Sequence, residues 1–225
     1  MKTAKRIPRG RRWLGPSVVL VGVLLLVAGL YWYFRPAPPE IVGAGIVSPP
    51  YEAPNFTLTD QFGHSQSLRN FRGRPIALTF IYTNCPDVCP LIAANMHAAY
   101  QRLGDDAPRT VLAAVTVDPR RDNIQQIRRF SEQHALTNEW FFFTGTSSEL
   151  QQVWRSYGIE AQPVDASGKP VTPVAGADTP TSPEVIEHSA PVFLIDKQLK
   201  VRALLPVDFT AATLVTDLKV LLAEQ

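Results

Sequence analysis

Residues 17–34 read SVVLVGVLLLVAGLYWYF, eighteen positions without a charge. No other feature restricts the chain so strongly. A helix rises about 1.5 Å per residue, so this run, lengthened by Trp13 and Leu14, nearly spans a hydrocarbon core of roughly 30 Å. Tyr31, Trp32 and Tyr33 stand at its far end, where amphipathic rings suit a headgroup boundary. Lys2, Lys5, Arg6, Arg9, Arg11 and Arg12 precede it and Arg35 alone follows, which places the N-terminus in the cytoplasm and the rest of the chain outside it. Residues 1–13 are therefore expected as a cytoplasmic basic leader, 14–35 as a transmembrane anchor and 36–50, rich in Pro and Gly, as a flexible tether. Residues 51–225 are expected as a single domain. A cleaved signal peptide is the alternative, but the apolar run exceeds the usual h-region of about 7–15 residues, and no small-x-small cleavage pattern follows it before the aromatic cluster.

The formal net charge of +2 is unevenly placed. Without the leader's six positive charges, 16 basic residues face 20 acidic ones, so nothing in the composition supports nucleic-acid binding.

Hydrophobic periodicity then predicts an α/β domain. PIALTFIY over residues 75–82 is a continuous apolar run with β-branched and aromatic members, as a buried central strand requires. TVLAAVTV over 110–117 repeats that character. Residues 91–103 between them carry helical spacing, which makes a βαβ unit. Further helices are expected over 123–135, 148–157 and 210–222, and strands over 140–143, 191–195 and 199–205. A short hairpin is expected around Asp60. Residues 161–187 contain five prolines and are expected as a long surface loop leading to His188.

Cys85 and Cys89 are the only cysteines. They lie in Thr83-Asn-Cys-Pro-Asp-Val-Cys-Pro90, at the carboxyl end of the expected central strand, where α/β sheets favour reactive sites. A helix starting near Pro86 would put both sulfurs on one face and its N-terminal amides beside them, lowering a thiol pKa. A purely structural disulfide is a weak alternative, because closing so short a loop removes only about 1–2 kcal/mol of chain entropy. His64 lies in a polar turn, and His97 and His134 lie on predicted helices, which suits surface or helix-end roles. His188 lies where a loop enters the 191–195 strand, a position that leaves its role open.

Three blocks carry a family resemblance: Thr83-Asn-Cys-Pro-Asp-Val-Cys-Pro90, Val115-Thr-Val-Asp-Pro-Arg-Arg-Asp122, and Glu187-His-Ser189 ahead of an apolar strand. In order and separation they resemble the Sco/SenC family over residues 51–222. The resemblance implies a thioredoxin-like fold. It also implies one copper ion, Cu(I) or Cu(II), on Cys85, Cys89 and His188, and a role as a metallochaperone in assembly of cytochrome c oxidase rather than as an enzyme. Implied partners are the oxidase subunit bearing the binuclear copper centre and a periplasmic copper chaperone or thiol-disulfide reductant. The implied location is the outer side of a bacterial inner membrane. The family often has aspartate where this chain has Glu187. Soft thiolates with one imidazole suit copper, whereas structural zinc asks for four ligands. Thiol-disulfide reduction or redox and copper sensing by the same cysteines remains the alternative. Peroxidase chemistry is a weaker one, since Thr83 precedes Cys85 by two residues instead of three. Asp118 is expected to stop its strand, Asp122 to start the next helix, and Asp87 to tune the thiols or meet a partner.

Overall fold

A computed structural model describes residues 15–34, 40–43, 45–165, 169–171 and 185–224. The expected leader and much of the 161–187 segment lie outside these. The chain forms two units, Met1–Pro39 and Glu40–Gln225.

In the first unit, helix α1 spans Gly15–Tyr33, with side chains described from residue 20. Those apolar side chains, from Leu20 to Phe34, are exposed. Among the described residues, no helix is long and apolar enough to cross a membrane.

The second unit is built around strand β4 (Ile76–Ile81), every residue of which is buried. Burial on both faces explains why its sequence is apolar throughout rather than alternating. With β1 (Ile46–Glu52), β5 (Val111–Thr116), β6 (Phe141–Phe143), β9 (Val192–Ile195) and β10 (Lys200–Leu205) it forms one sheet of order β1-β10-β9-β4-β5-β6. β4, β5 and β6 run parallel, while β9 is antiparallel to both β4 and β10. The expected βαβ unit is present: α2 (Val88–Leu103) connects β4 to β5 and packs on α5 (Ala211–Ala223). Helix α3 (Ile124–Gln133) begins at an Asn123 cap that accepts the Gln126 amide. Helix α4 (Ser147–Tyr157) begins with a reciprocal Thr146/Glu149 capping box. The hairpin at Asp60 also forms, from β2 (Thr57–Thr59) and β3 (Ser65–Ser67), with the Asp60 carboxylate accepting the Phe62 and His64 amides at 2.9 Å each.

Two expectations are corrected. Residues 46–50, expected within a tether, belong to β1 at the sheet edge, pairing with β10. Just before them the Val42 and Gly43 amides donate to the buried Asp217 carboxylate on α5, at 2.7 and 3.0 Å. A Cβ at Gly43 would collide with Leu205 and that carboxylate, so glycine is required for this close approach. The second correction concerns residues 161–187. Their ends are not loop but a two-stranded sheet of β7 (Ala161–Val164) and β8 (Val185–His188), in which Ala161 faces His188 and Pro163 faces Ile186. Both strands of a two-stranded sheet are edges, and edges admit proline.

Candidate metal and thiol site

β4 delivers Tyr82, Thr83 and Cys85 to the carboxyl edge of the sheet, and α2 carries Cys89 in its first turn. The helix begins at Val88, two residues later than Pro86, because Asp87 holds φ −132° and ψ −90° outside helical space. Cys85 therefore lies in the turn ahead of the helix, where its own amide donates to the Tyr82 carbonyl at 3.4 Å. From that turn its sulfur reaches the amides of Asp87 and Cys89 and the Cys89 thiol.

The two sulfurs are unequal. Cys89 has no exposed surface, whereas Cys85 is half-buried. The Cys89 thiol donates to Cys85 and, with the Asp87 and Cys89 amides and the Tyr82 hydroxyl, lowers the Cys85 pKa to about 5 against the opposing effect of burial. Donation to Cys85 and burial push Cys89 well above the ordinary thiol range. One proton thus stays on the inner sulfur and the outer one is a thiolate at neutral pH.

Beneath the cysteine turn lies Asp122, which is fully buried. Its carboxylate accepts the Thr83 amide at 3.1 Å, the Thr83 hydroxyl at 2.5 Å and the Thr116 hydroxyl at 2.5 Å. Burial raises its pKa to about 6, against those donors and with a further push from Asp118. Asp122 was expected to start a helix. Asn123 does that instead, and Asp122 pins the turn that presents Cys85. Asp118 ends its strand as expected and is ion-paired with Arg121.

His188 ends β8 and is half-buried. Its Nε2 stands 3.0 Å from the Phe80 carbonyl and its Nδ1 3.2 Å from the Ile186 carbonyl. Its ring meets Tyr82 edge-on at 5.6 Å. The structure brings Cys85 and Cys89 together but turns both nitrogens of His188 toward backbone oxygens. Among the described residues, no three His, Cys, Asp or Glu side chains stand close enough to hold a metal ion. Glu187 is exposed and lines, with His188 and Glu160, a cleft of about 520 Å³. The other histidines have structural places: His97 pairs with Glu139 at 2.6 Å, His64 lies 3.6 Å from Asp60, and the His134 ring lies tilted against Phe130 at 4.3 Å at the end of α3.

Residues 47–223 match the family model described as SCO1/SenC. The chain belongs to the SCO1/SenC family. The SCO1 protein homolog of Bacillus subtilis is 31% identical over 131 residues, which cover 56% of this chain and 66% of that protein. The match spans just under two thirds of that relative and about half of the mitochondrial SCO2 homologs of Danio rerio and Bos taurus. Among solved structures, copper-bound ScoI of Bradyrhizobium japonicum superposes with a TM-score of 0.63 at 24% identity, covering 76% of this chain and 99% of that one. Apo Sco1 of Thermus thermophilus gives 0.65 at 24% identity, covering 81% and 98%. These likenesses establish that this SCO1/SenC chain has the thioredoxin-like α/β fold of the family.

Proposed function

We propose that this SCO1/SenC chain is a copper carrier on the outer side of a bacterial cytoplasmic membrane. Cys85, Cys89 and His188 bind one copper ion, as Cu(I) or Cu(II), and deliver it to the binuclear copper centre of cytochrome c oxidase or prepare that centre's thiols. The single observation that supports this most strongly is the placing of two free cysteines at the carboxyl edge of the sheet, Cys85 half-buried in the turn after β4 and Cys89 fully buried in the first turn of α2. Soft sulfur donors select Cu(I), and an imidazole extends the set to Cu(II). Copper-bound ScoI of Bradyrhizobium japonicum adds weight to the assignment. His188 joins the sulfurs when one ring nitrogen leaves its carbonyl. Copper then moves by exchange of its ligands for cysteines of the receiving subunit, without release as a free ion.

Anchoring belongs to the same proposal. α1 is an uncharged helix with exposed apolar side chains, and such a surface calls for an apolar surrounding. The span itself is read from the sequence, where the uncharged run 17–34 and the basic residues ahead of it favour a single pass with the domain outside.

Anaerobic titration of the reduced full-length chain with Cu(I), in competition with a chromophoric chelator, tests the copper assignment. One ion per chain is expected, and no binding would reject it.

A second reading, thiol-disulfide reduction, is favoured by the same placing of the two cysteines. The Cys85 thiolate attacks a partner disulfide, and Cys89 then displaces the partner, leaving two partner thiols and a Cys85–Cys89 disulfide. Deleting the gene separates the two. Loss of oxidase copper at limiting copper supports carriage, whereas unchanged copper with accumulated oxidised partner thiols supports reduction.

A further inference from the structure

Cys85 is half-buried in its turn, so a protein that exchanges a ligand with its sulfur must come against the surface around it. A specific interface covers roughly 800 Å² on each partner, a disc of about 16 Å radius, and therefore takes in the elements beside the cysteine turn. On one flank these are α2 and the loop joining β10 to α5. β10 runs in the same direction as β4, since both are antiparallel to β9, and residues 206–208 therefore stand at the same carboxyl edge as the cysteines. The Asn95 side chain of α2 donates to the Phe209 carbonyl at 2.9 Å and ties that loop to the helix.

This flank exposes apolar side chains that the core does not use. Leu91, only about 3 Å of helix rise beyond Cys89, is 51% exposed, and Val207 is 36% exposed, while their neighbours Ile92, Ala93 and Phe209 are buried. Leu91 lies one helical turn before Asn95, on the face that meets the loop. Exposed carboxylates surround the pair: Asp87 in the cysteine turn, Asp208 in the β10–α5 loop and Glu187 on β8. Arg120 and Arg121, in the loop after β5, are half-buried, and Arg121 is ion-paired with Asp118. An apolar centre inside a charged rim is the anatomy of a protein interface.

We infer that Leu91 and Val207 form the apolar centre of a docking face for the protein that exchanges with Cys85. That partner presents an apolar patch ringed by lysine or arginine beside its own cysteines. A second copy of this chain, or an anionic lipid surface, would set negative charge against the acidic rim. The inference rests on the proposal that Cys85 exchanges ligands with a partner protein, and adds which surface recognises that partner and by what chemistry.

Copper-free binding tests it. The reduced full chain in detergent micelles is titrated by surface plasmon resonance with the reduced, copper-free oxidase subunit that bears the binuclear centre. Leu91→Asp and Val207→Asp are each expected to weaken binding by about tenfold or more, mainly through faster dissociation, as loss of a buried anchor does. Asp208→Lys should slow association several-fold and flatten its dependence on salt. All three side chains are exposed, so urea unfolding of the variants should match wild type. Wild-type affinity in both apolar variants would overturn the docking face, as would faster association of Asp208→Lys or no binding by wild type. Self-association of wild type that Leu91→Asp abolishes would overturn it in favour of a second copy. No copper enters the measurement, so its failure leaves copper binding untouched, and a chain that docks as expected but takes up no copper would count against carriage alone.

Discussion

Cys89 sits without exposed surface in the first turn of α2, and Cys85 stands on a turn pinned to the buried carboxylate of Asp122. His188 instead ends a two-stranded sheet of four-residue strands at the side of the main sheet, half-buried, with its nitrogens on backbone carbonyls. The cysteines extend the central strand and share its rigidity. The histidine is carried by an element that adds little to the core and meets the β4 segment through the Ile186 amide, which donates to the Tyr82 hydroxyl, and through its own Nε2 beside the Phe80 carbonyl. A site built from one rigid half and one adjustable half can hold an ion and also let go of it, since one ligand moves without disturbing the core.

The largest test of that contrast removes the rigid half. Cys85→Ser is expected to lower Cu(I) affinity by more than the roughly 100-fold that loss of an outer-shell partner costs, measured by chelator competition. His188→Ala should cost less than Cys85→Ser, and leave formation of the Cys85–Cys89 disulfide at its wild-type rate. Equal losses of affinity in the two variants would break the comparison.

Asp122→Ala sharpens it by attacking the support of the rigid half. Stranding the Thr83 and Thr116 donors should cost about 2–3 kcal/mol in urea unfolding, whereas Glu187→Ala on the exposed hairpin should stay within about 0.5 kcal/mol. Asp122 also gives a pH signature. Its pKa is raised from 3.8 to about 6 by burial, so the folded state binds the proton more tightly. Stability should therefore fall as pH rises from about 4 to 6, by at most about 3 kcal/mol, and then level off. Asp122→Asn should remove that slope.

The smallest effect concerns the two sulfurs. Alkylation of Cys85 by iodoacetamide should be nearly flat from pH 8 to 6 and fall through a midpoint near the pKa of about 5, while Cys89 stays unreactive throughout. Titration of Cys85 near the ordinary thiol value would remove the basis for its role as the outer thiolate.

The rigid half was the more legible in sequence. A strand buried on both faces must be apolar along its length, so residues 75–82 announced β4, and the cysteine block directly after it marked the sheet's carboxyl edge. The error of two residues in the start of α2 arose from treating Pro86 as a first-turn residue, when Asp87 keeps the chain outside helical space. The adjustable half was obscured by proline. Composition argued for a loop over 161–187 and a tether over 36–50, but β1 and the β7–β8 pair are edge strands, where proline is tolerated. Tyr82, Thr83 and Asp122 were missed as supports. Thr83 meets Asp122 in the turn after β5 across 39 residues, and Tyr82 meets Ile186 on β8 across 104, and no local pattern records either contact. Asp122, which closes the Val115-to-Asp122 block, reads in sequence as a helix start, and its burial is a property of the fold alone.

X-ray absorption of the singly loaded Cu(I) protein, compared with His188→Ala, tests the central claim most directly, because it counts sulfur and nitrogen neighbours separately. The expected wild-type shell is two sulfurs and one nitrogen, with the nitrogen lost and both sulfurs kept in the variant. A wild-type shell of sulfur alone, or a variant that keeps its nitrogen, would contradict the assignment of His188 as the adjustable ligand.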